Sequence, residues 1–561
     1  MTTDGELRVI PGEAEPAGHD RDDADPIPAH ERPRWRRVAG WVITTLACLL
    51  LLFALIVPND LSKLSFGAFV RIPVEAIVGV GLVLALPRRS RRVVAVVFGV
   101  LLGLLTIVKL LDMGFLEVLA RPFDLVLDWS LFQTTVEYIQ TTSGRASAIG
   151  AVVLAVLVVV AVPVLMTLAA LRLTRLIVER REAAARGVTI AGIVWVTCAV
   201  LGAQFAPALP VASTSAAVLT YQHARQVPEG IRDAREFAAE AAVDPFRDTP
   251  GAQLLTGLRG KDVILVFVES YGRSAIEDPG LAPQVNSLLD NGTSQLRAAG
   301  FSSRSAFLTS STVGGGSWLA HSTLLSGLWI NNQQRYRNLV VSDRITLNNL
   351  FRRAGWRTVD IEPALLHPYP EAAYFGYDKL YGAKDLDYHG PWFGYSTMPD
   401  QYTMSAFQRV EHSAPGHRPV MAQITLLSSH APWTAIPSMI DWTDVGDGSA
   451  FNRMDAGEHP GDVRTNYRRS IEYSLDTVLS WVRTYGDQNT GLVFLGDHQP
   501  APIVTGEGAS RDVPITIVAR DPAVLDRISG WGWQAGLRPG PQATVWRMSE
   551  LRDRFLTAFG P

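Results

Sequence analysis

Gly496-Asp497-His498 is the stretch of this sequence best suited to chemistry. It follows an apolar run, Leu492 to Leu495, that predicts a buried strand of a parallel sheet. The carboxyl ends of such strands are where α/β proteins collect ligands and metals. A carboxylate beside an imidazole is costly to bury there unless the pair meets a cation or another polar partner. The pair therefore indicates a cation site, the alternative being a solvated turn beyond the strand.

A second predicted strand also ends in a carboxylate. The run Asp262 to Val268 is apolar and β-branched, and Glu269 follows it directly. Because this run is typical of a strand in the same kind of buried parallel sheet, we expect Glu269 to lie at the edge that also carries Asp497 and His498.

Ser317 follows three glycines, Gly314 to Gly316, and opens a segment that ends at Gly327. Glycines let the backbone approach a ligand closely and adopt positive φ. The segment predicts a helix that begins at Ser317. A serine in this position is commonly only an N-cap, but the positive end of a helix also stabilises an alkoxide or a phosphate and so suits a nucleophile.

Composition excludes several classes of protein. The chain has 561 residues and a net charge of −3, which gives no indication of nucleic-acid binding. Its two cysteines, Cys48 and Cys198, both lie in apolar runs. The remainder has no thiol, so it has no disulfide, no cysteine metal ligand and no cysteine nucleophile.

Apolar runs divide the chain into four predicted parts. Residues 1–33 predict a disordered cytoplasmic tail, because they are acidic, proline-rich and without periodicity. Residues 34–207 predict a transmembrane domain, residues 208–260 a helical juxtamembrane linker, and residues 261–561 an external α/β domain with a mostly parallel sheet flanked by helices. Five runs in the transmembrane domain approach the ~20 residues that span a bilayer, namely 38–57, 68–87, 93–112, 148–170 and 188–207. Arg71 and Glu75 interrupt the start of the second run, so a re-entrant or interfacial segment is the alternative to a full span there.

Basic residues predict the orientation of these spans. Arginines cluster before the first span, between the second and third, and between the fourth and fifth, whereas the loops at 58–67 and 113–147 are poor in basic residues. By the positive-inside rule the amino terminus is cytoplasmic, and five spans place the chain after about residue 208 outside the cell membrane. The aromatic 113–147 segment predicts either helices lying on the outer membrane surface or a helical hairpin packed on the spans.

Four features of the α/β domain follow one another in the order found in the alkaline phosphatase superfamily: Glu269 after the first strand, Ser317 after the glycines, His430 in Ser-His-Ala-Pro-Trp, and Gly496-Asp497-His498. The chain most resembles the sulfatase-like branch that contains lipoteichoic acid synthases and membrane phosphoglycerol transferases. Proteins of that branch also place five spans before an external catalytic domain, so the resemblance covers about residues 38–560.

The resemblance implies one bound divalent metal ion, typically manganese, with magnesium and zinc as alternatives. Its implied ligands are Glu269, Ser317, Asp497 and His498, and Ser317 is also the implied nucleophile. His430 resembles the histidine that contacts the substrate phosphate or protonates the leaving group.

The sequence departs from the family pattern near the nucleophile. Lipoteichoic acid synthases have threonine there and an acidic residue four positions later, where this chain has Ser317 and His321. His321 changes the charge of the pocket, which leaves the preference for glycerol phosphate open. In that family a Trp-Asn-Arg motif binds the substrate phosphate. The motif is absent from this sequence, and His367 lies in the corresponding region. Sulfatase activity is disfavoured, because the cysteine signature of true sulfatases is missing.

These observations predict a membrane-anchored, metal-dependent transferase that moves a phospho-alcohol, such as phosphoglycerol, from a lipid donor to an envelope lipid or glycan through a phospho-serine intermediate. His321, His367, Trp318 and Trp433 are the further residues predicted to line the pocket, although buried aromatic residues are more often core. A hydrolase that uses water as acceptor and an inactive membrane-tethered scaffold are the alternatives.

Overall fold

The computed structural model describes residues 34–206, 209–393, 395–414, 416–433, 435–453 and 461–561. The tail predicted for residues 1–33 lies outside these ranges. The described chain forms a helical N-terminal part and an α/β C-terminal part, which contact each other at the candidate site described below.

The N-terminal part contains helices that match the apolar runs. Four of them are long and apolar enough to cross a bilayer. The helices of this part, in the described residues, are α1 (Arg34–Ile56), α2 (Val74–Ala85), α3 (Arg88–Leu119), α4 (Trp129–Ser143), α5 (Arg145–Glu179) and α6 (Arg181–Val200).

The predicted second span, 68–87, differs from the other four. Its one α-helical part in the described residues is Val74–Ala85, whose 12 residues rise about 18 Å, less than the ~30 Å of a hydrocarbon core. Pro73 is extended and precedes the helix. The Arg71 guanidinium turns back to donate to the carbonyl oxygens of Ala68 and Ile56, at 3.0 and 2.9 Å, which ties the segment before α2 to the end of α1. Five full-length spans are therefore not observed in the described residues.

Helix α3 is the axis of the N-terminal part. It packs closely on α5, because a Cβ at Gly99 or Gly103 would lie 2.5 Å from a backbone Cα of α5. Small residues permit this approach in membrane helices. Lys109 of α3 donates to the Ala54 and Val57 carbonyl oxygens at the end of α1, at 2.9 and 2.8 Å. The rest of α3 continues beyond that level toward the α/β part.

Helix α7 (Ser215–Ala242) lies in the predicted linker and joins both parts. Its His223 lies 3.2 Å from the buried carboxylate of Asp112 on α3. Farther along α7, the Asp233 carboxylate accepts hydrogen bonds from the Arg335 guanidinium of the C-terminal part.

The C-terminal part is built on a sheet of nine strands with the order β8-β2-β7-β6-β1-β5-β3-β4, in which β9 also pairs with β2. The strands are β1 (Asp262–Val268), β2 (Ser302–Thr309), β3 (Arg357–Glu362), β4 (Lys379–Gly382), β5 (Val420–Leu426), β6 (Thr490–Gly496), β7 (Asp512–Ala519), β8 (Gln534–Ala535) and β9 (Val545–Arg547).

The sheet is mixed: most of its strand pairs are parallel, as predicted, and the antiparallel pairs involve β7 or β8. Strands β6, β1, β5, β3 and β4 are parallel, but β7 runs antiparallel to both β6 and β2. The connection from β6 to β7 carries only the short helix α16 (Pro502–Thr505) and lacks the crossover that a parallel neighbour needs.

Helices cover both faces of the sheet. Ile264, Val266 and Val268 of β1 belong to one core cluster, and the alternating residues Val263 and Leu265 belong to the other. Burial on both faces explains the continuous apolar run of this strand. The remaining helices are α8 (Ser274–Glu277), α9 (Ala282–Ala298), α10 (Ser317–Ser326), α11 (Gln333–Val340), α12 (Leu347–Arg353), α13 (Ala372–Phe375), α14 (Asp400–Phe407), α15 (Val463–Tyr485), α17 (Pro522–Asp526) and α18 (Leu551–Ala558).

Candidate active site

The register of two central strands builds one wall of the site. β1 and β6 are parallel neighbours in which Val268 pairs with Gly496. Glu269 follows the first of these residues and Asp497 the second, so both carboxylates leave the sheet at the same level. Glu269, Asp497 and His498 are all buried.

Ser317 meets this wall from the other side. Its Oγ donates to Glu269 Oε2 at 2.9 Å and lies 3.2 Å from His498 Nε2. His498 Nε2 lies 3.3 Å from Glu269 Oε1. The structure thus brings the four predicted metal ligands, Asp497 included, from three distant parts of the sequence into one cluster.

The two oxygens of Asp497 have different surroundings. Oδ1 accepts backbone hydrogen bonds from Ser270 and His498, at 2.8 and 2.7 Å. Oδ2 is buried, has no hydrogen-bond partner in the described chain, and lies 3.6 Å from His498 Nε2. A buried carboxylate oxygen without a partner is costly. Oδ2 is therefore available to a cation at the centre of the cluster.

The tautomer of His498 follows from its other ring nitrogen. Nδ1 lies 2.8 Å from the carbonyl oxygen of Gln499. A carbonyl oxygen only accepts hydrogen bonds, so Nδ1 carries the proton and donates. In the neutral ring Nε2 then presents its lone pair to the cluster, and a backbone acceptor on the second nitrogen is the usual arrangement for a metal-binding histidine.

The pKa shifts of the cluster report a concentration of negative charge. Burial lowers the pKa of the His498 imidazole, but the charges of Asp497 and Glu269 outweigh it and raise the pKa to about 9. Burial and the neighbouring Glu269 charge raise the pKa of Asp497 to about 7. Burial opposes ionisation of Glu269 too, yet the charge and hydrogen bond of His498 keep its pKa well below the usual value. The raised pKa values of Asp497 and His498 mean that the cluster favours added positive charge, whether a proton or a cation.

The donor atoms fit a divalent cation. One ligand atom from each of Glu269, Asp497 and His498 lies within 4.8 Å of the others. Carboxylate and imidazole donors suit manganese, zinc and similar ions, and Asp497 Oδ2 supplies an oxygen that accepts no hydrogen bond from the described residues.

The glycine loop explains the position of Ser317. Gly316 is left-handed, at φ 78°, and α10 begins at Ser317 as predicted. Gly314, at φ 72°, donates its backbone N–H to the Gln499 carbonyl oxygen at 2.9 Å, which ties the loop to the strand that delivers Asp497 and His498. Ser317 therefore stands at the positive end of a ten-residue helix, where an oxyanion is stabilised.

His430 is held by aromatic rings. Its Nδ1 lies 2.6 Å from the Ala431 carbonyl oxygen, so Nδ1 carries a proton. The Tyr395 ring stacks on the imidazole with centroids 3.9 Å apart and planes 20° apart. Tyr138 of α4 lies against both rings, with its centroid 5.6 Å from that of Tyr395 and 6.3 Å from that of His430.

The sequence did not indicate either tyrosine. Tyr395 lies in a loop without regular pattern, and Tyr138 lies in the N-terminal part of the chain, far from any catalytic motif. Ser270 was also missed, although its position directly after Glu269 was a usable signal. Its Oγ donates to Glu269 Oε1 at 2.9 Å and its backbone N–H supports Asp497.

Two residues predicted to line the substrate pocket are buried in packing positions. His321 stacks on Phe267 of β1 with centroids 3.9 Å apart, and burial lowers its pKa to about 3. Trp433 is 5 % exposed, packs edge-on against Tyr467 and donates its indole N–H to the Ser429 carbonyl oxygen at 2.6 Å. These placements favour a structural role, because such side chains have little surface left for a ligand.

The other two predicted pocket residues are more accessible. Trp318 follows the nucleophile candidate, is half-buried, and donates its indole N–H to Gln333 Oε1 at 2.9 Å. His367 lies on an exposed loop that follows β3. A substrate contact by either residue stays a prediction.

Comparisons with known proteins place this site in a family context. Residues 261–512 match the family model described as sulfatase. No curated protein matches the chain. Similar solved structures include a lipoteichoic acid synthase from Listeria monocytogenes (15% identity, 59% of this chain and 78% of that chain, TM-score 0.36). Another is the lipooligosaccharide phosphoethanolamine transferase A of Neisseria meningitidis (13% identity, 92% of this chain and 95% of that chain, TM-score 0.41). A third is a Streptococcus pyogenes phosphoglycerol transferase in complex with sn-glycerol-1-phosphate (13% identity, 58% of this chain and 89% of that chain, TM-score 0.31).

Proposed function

We propose that this chain, whose residues 261–512 form a sulfatase-family domain of the alkaline phosphatase superfamily, is a membrane-anchored, metal-dependent phosphotransferase. It transfers a phospho-alcohol, of the phosphoglycerol type, to a lipid or glycan of the cell envelope. The observation that carries the proposal is the Ser317 hydroxyl, placed between Glu269 Oε2 and His498 Nε2 at the start of a helix.

Glu269, Ser317, Asp497 and His498 are the residues that would hold one divalent ion, and manganese is the proposed one, with magnesium or zinc as alternatives. When bound, such an ion lowers the pKa of a coordinated hydroxyl and neutralises charge on a phosphoryl oxygen. Ser270 supports this ligand set through its two hydrogen bonds to Glu269 and Asp497.

Ser317 acts as the nucleophile in the first displacement. Its hydroxyl gives its proton to solvent water, Oγ attacks the phosphorus of the donor, and the bond from phosphorus to the donor's alcohol oxygen breaks. The phospho-alcohol is then attached to Ser317. The positive end of α10 stabilises the anionic Oγ before attack, and covalent attachment divides the transfer into two easier steps.

His430 moves the proton at the departing oxygen. In its protonated form Nε2 gives a proton to the leaving alkoxide, while Nδ1 remains bonded to the Ala431 carbonyl oxygen. In the second displacement the neutral ring takes the proton of the acceptor hydroxyl, whose oxygen attacks phosphorus and frees Ser317. One group can serve both steps because they are the reverse of each other.

The proposed topology places the site outside the cell membrane, near the bilayer. The basic clusters lie together, since Arg172 donates to the Gly40 carbonyl oxygen at 2.6 Å and Arg181 to that of Leu84 at 3.4 Å. The catalytic domain contacts the opposite end of the helices. Arg71 is bound to the end of α1 on the side of the catalytic domain, whereas Leu84 lies on the side of the basic clusters. The chain from Arg71 to Leu84 therefore connects the two sides, which supports a fifth crossing that is partly extended.

We further propose the domain limits 34–207, 208–260 and 261–561 for the membrane domain, the linker and the catalytic domain. A membrane-anchored external site favours a phospholipid donor and an envelope lipid or glycan acceptor over free water. The head group is set by side chains such as Trp318 and His367, whose contacts with a substrate are predictions.

Covalent labelling of Ser317 tests the proposal. The full chain in detergent is incubated with manganese and phospholipids that carry labelled head groups, and the label is located by peptide mass spectrometry. We expect label on Ser317, none in Ser317→Ala, and slow labelling in Ser317→Thr, which keeps a hydroxyl. Ser322→Ala is the matched control, because the Ser322 hydroxyl on the same helix donates only to the Trp318 carbonyl oxygen.

Label retained in Ser317→Ala would move the nucleophile elsewhere, with Thr312 the next candidate. Diacylglycerol release that needs no acceptor would indicate a hydrolase. Absence of label and of donor turnover in the unmodified chain would leave the scaffold as the best interpretation.

A further inference from the structure

We propose that Tyr138, on helix α4 of the membrane domain, is a positioning residue for His430, so that the membrane domain completes the active site. The inference rests on the proposed function, since it assigns Tyr138 a part in the proton transfer that His430 performs there.

The imidazole of His430 has few other restraints. Among the described residues its one side-chain hydrogen bond is to the carbonyl oxygen of its own neighbour, Ala431. That bond moves with the loop and does not tie the ring to another element. The ring plane is instead set by Tyr395, which stacks on it at 3.9 Å.

Tyr138 supports this stack from outside the catalytic domain. Its ring centroid is 5.6 Å from that of Tyr395 and its plane is tilted by 34°, while the centroid of His430 is 6.3 Å away. Aromatic rings at 4.5–7 Å attract each other and are preferred in offset or tilted arrangements. The three rings therefore form one packed group with the membrane-domain residue as its outer member.

The same membrane segment contacts the nucleophile loop. A Cβ at Gly314 would lie 1.7 Å from the Val118 carbonyl oxygen at the end of α3, and a Cβ at Gly315 would lie 3.4 Å from Leu119 Cδ2. The α3–α4 segment thus contacts the loop that presents Ser317 as well as the group that holds His430.

The connection between α3 and α4 is fixed rather than loose. Arg121 donates to both carboxylate oxygens of Asp128, at 2.6 and 2.7 Å. The Phe123 backbone N–H donates to the buried carboxylate of Asp112 at 3.0 Å. Tyr138 is therefore held at a defined position relative to α3, and a rigid support is what a positioning residue needs.

The dependence of turnover on the leaving group distinguishes a role of Tyr138 in positioning the acid His430 from a general loss of protein structure. Vesicles of phosphatidylglycerol and phosphatidylethanolamine supply donors whose leaving group, diacylglycerol, needs a proton. Bis(4-nitrophenyl) phosphate supplies a leaving group that departs without one. The full-length chain in detergent-lipid mixtures is assayed with each, and kcat and KM are determined separately.

We expect Tyr138→Ala to lower kcat for diacylglycerol release about tenfold, the size that loss of one aromatic contact permits, and to leave nitrophenol release within about twofold of wild type. Tyr138→Phe, which keeps the ring, should restore diacylglycerol release. In a His430→Gln background Tyr138→Ala should add no further loss, because both changes act through one group. Tyr221→Ala, at a tyrosine of α7 that is 63% exposed, is the control that should leave both activities unchanged.

Equal losses with the two donors, additive losses in the double variant, or full activity of Tyr138→Ala would each overturn the inference while leaving the proposed function intact. A wild-type chain that is inactive toward both donors would overturn the proposed function and this inference with it.

Discussion

Gly496 pairs with Val268 across two neighbouring parallel strands, and this register sets Asp497 beside Glu269. Both carboxylates then face Ser317, which arrives on a helix from a separate part of the sheet. A shift of one residue in this pairing would turn one carboxylate to the other face. The site therefore depends on backbone register as much as on the identity of its side chains.

Metal binding should depend on both carboxylates. We expect Glu269→Gln and Asp497→Asn to reduce the divalent-metal content of the purified full chain to background, because each removes an anionic ligand from a buried cluster. Elemental analysis by mass spectrometry measures this directly. Asp278→Asn is the control, since Asp278 lies outside the cluster and pairs with Arg464 near the surface, at 2.6 Å. Unchanged metal content in both ligand variants would place any ion elsewhere.

Gly314 should tolerate no side chain. Gly314→Ala adds left-handed strain and a collision with the Val118 carbonyl oxygen, 1.7 Å from the added Cβ. We expect turnover to fall on the order of a hundredfold, since displaced reacting groups are costly. Gly260→Ala is a matched control, because its φ is 76° but no atom lies within 4 Å of the added Cβ. It should lose about 1 kcal/mol of stability and keep its turnover. Similar turnover in both variants would contradict the close contact with α3.

The linker should be anchored by a buried ion pair. Asp244 accepts hydrogen bonds from Arg552 of α18 at 2.8 and 3.0 Å, and both side chains are fully buried. We expect Asp244→Asn to lower the free energy of unfolding by about 3 kcal/mol, because the buried guanidinium of Arg552 keeps Asp553 but loses the carboxylate that is buried with it. Asp248→Asn, at an exposed position of the same segment, should change it little.

The same pair predicts a dependence of stability on pH. Burial would raise the pKa of Asp244, but the Arg552 charge and hydrogen bonds hold it below its ordinary value in the folded chain. A carboxyl group whose pKa is lower in the folded chain than in the unfolded chain stabilises the fold at pH values above its unfolded pKa. That stabilisation is lost as the pH falls through the folded pKa. Below pH 4 the free energy of unfolding of the unmodified chain should therefore fall more steeply with decreasing pH than that of Asp244→Asn. Parallel curves would contradict a stabilising charge on Asp244.

Membrane topology can be tested by cysteine labelling in whole cells. In a background without Cys48 and Cys198, Ser90→Cys lies in the exposed, basic first turn of α3 and Ser449→Cys lies on the exposed surface of the catalytic domain. We expect a membrane-impermeant maleimide to label the second and to reach the first only after lysis. Labelling of both positions in intact cells, or of neither, would contradict the proposed five crossings.

Local patterns in the sequence were sufficient for the elements that carry the site. Continuous apolar runs mark strands buried on both faces, so the strands ending before Glu269 and Asp497 were predicted correctly. The glycines before Ser317 mark the start of α10 for an equally local reason, since left-handed backbone favours glycine. Chain order then allowed the family resemblance, which the sulfatase model supports over residues 261–512.

Tertiary structure decided what depends on residues distant in sequence. The direction of β7 follows from a connection that lacks a crossover, which has no signature in hydropathy. The sequence shows that Arg71 and Glu75 interrupt the second apolar run, but only the structure shows that α2 is short and that Arg71 bonds back to α1. Tyr138 and His430 meet because α3 extends beyond α1 and carries α4 to the catalytic domain. Periodicity predicts which face of an element is apolar, whereas the partner of that face is chosen only when the packed elements meet.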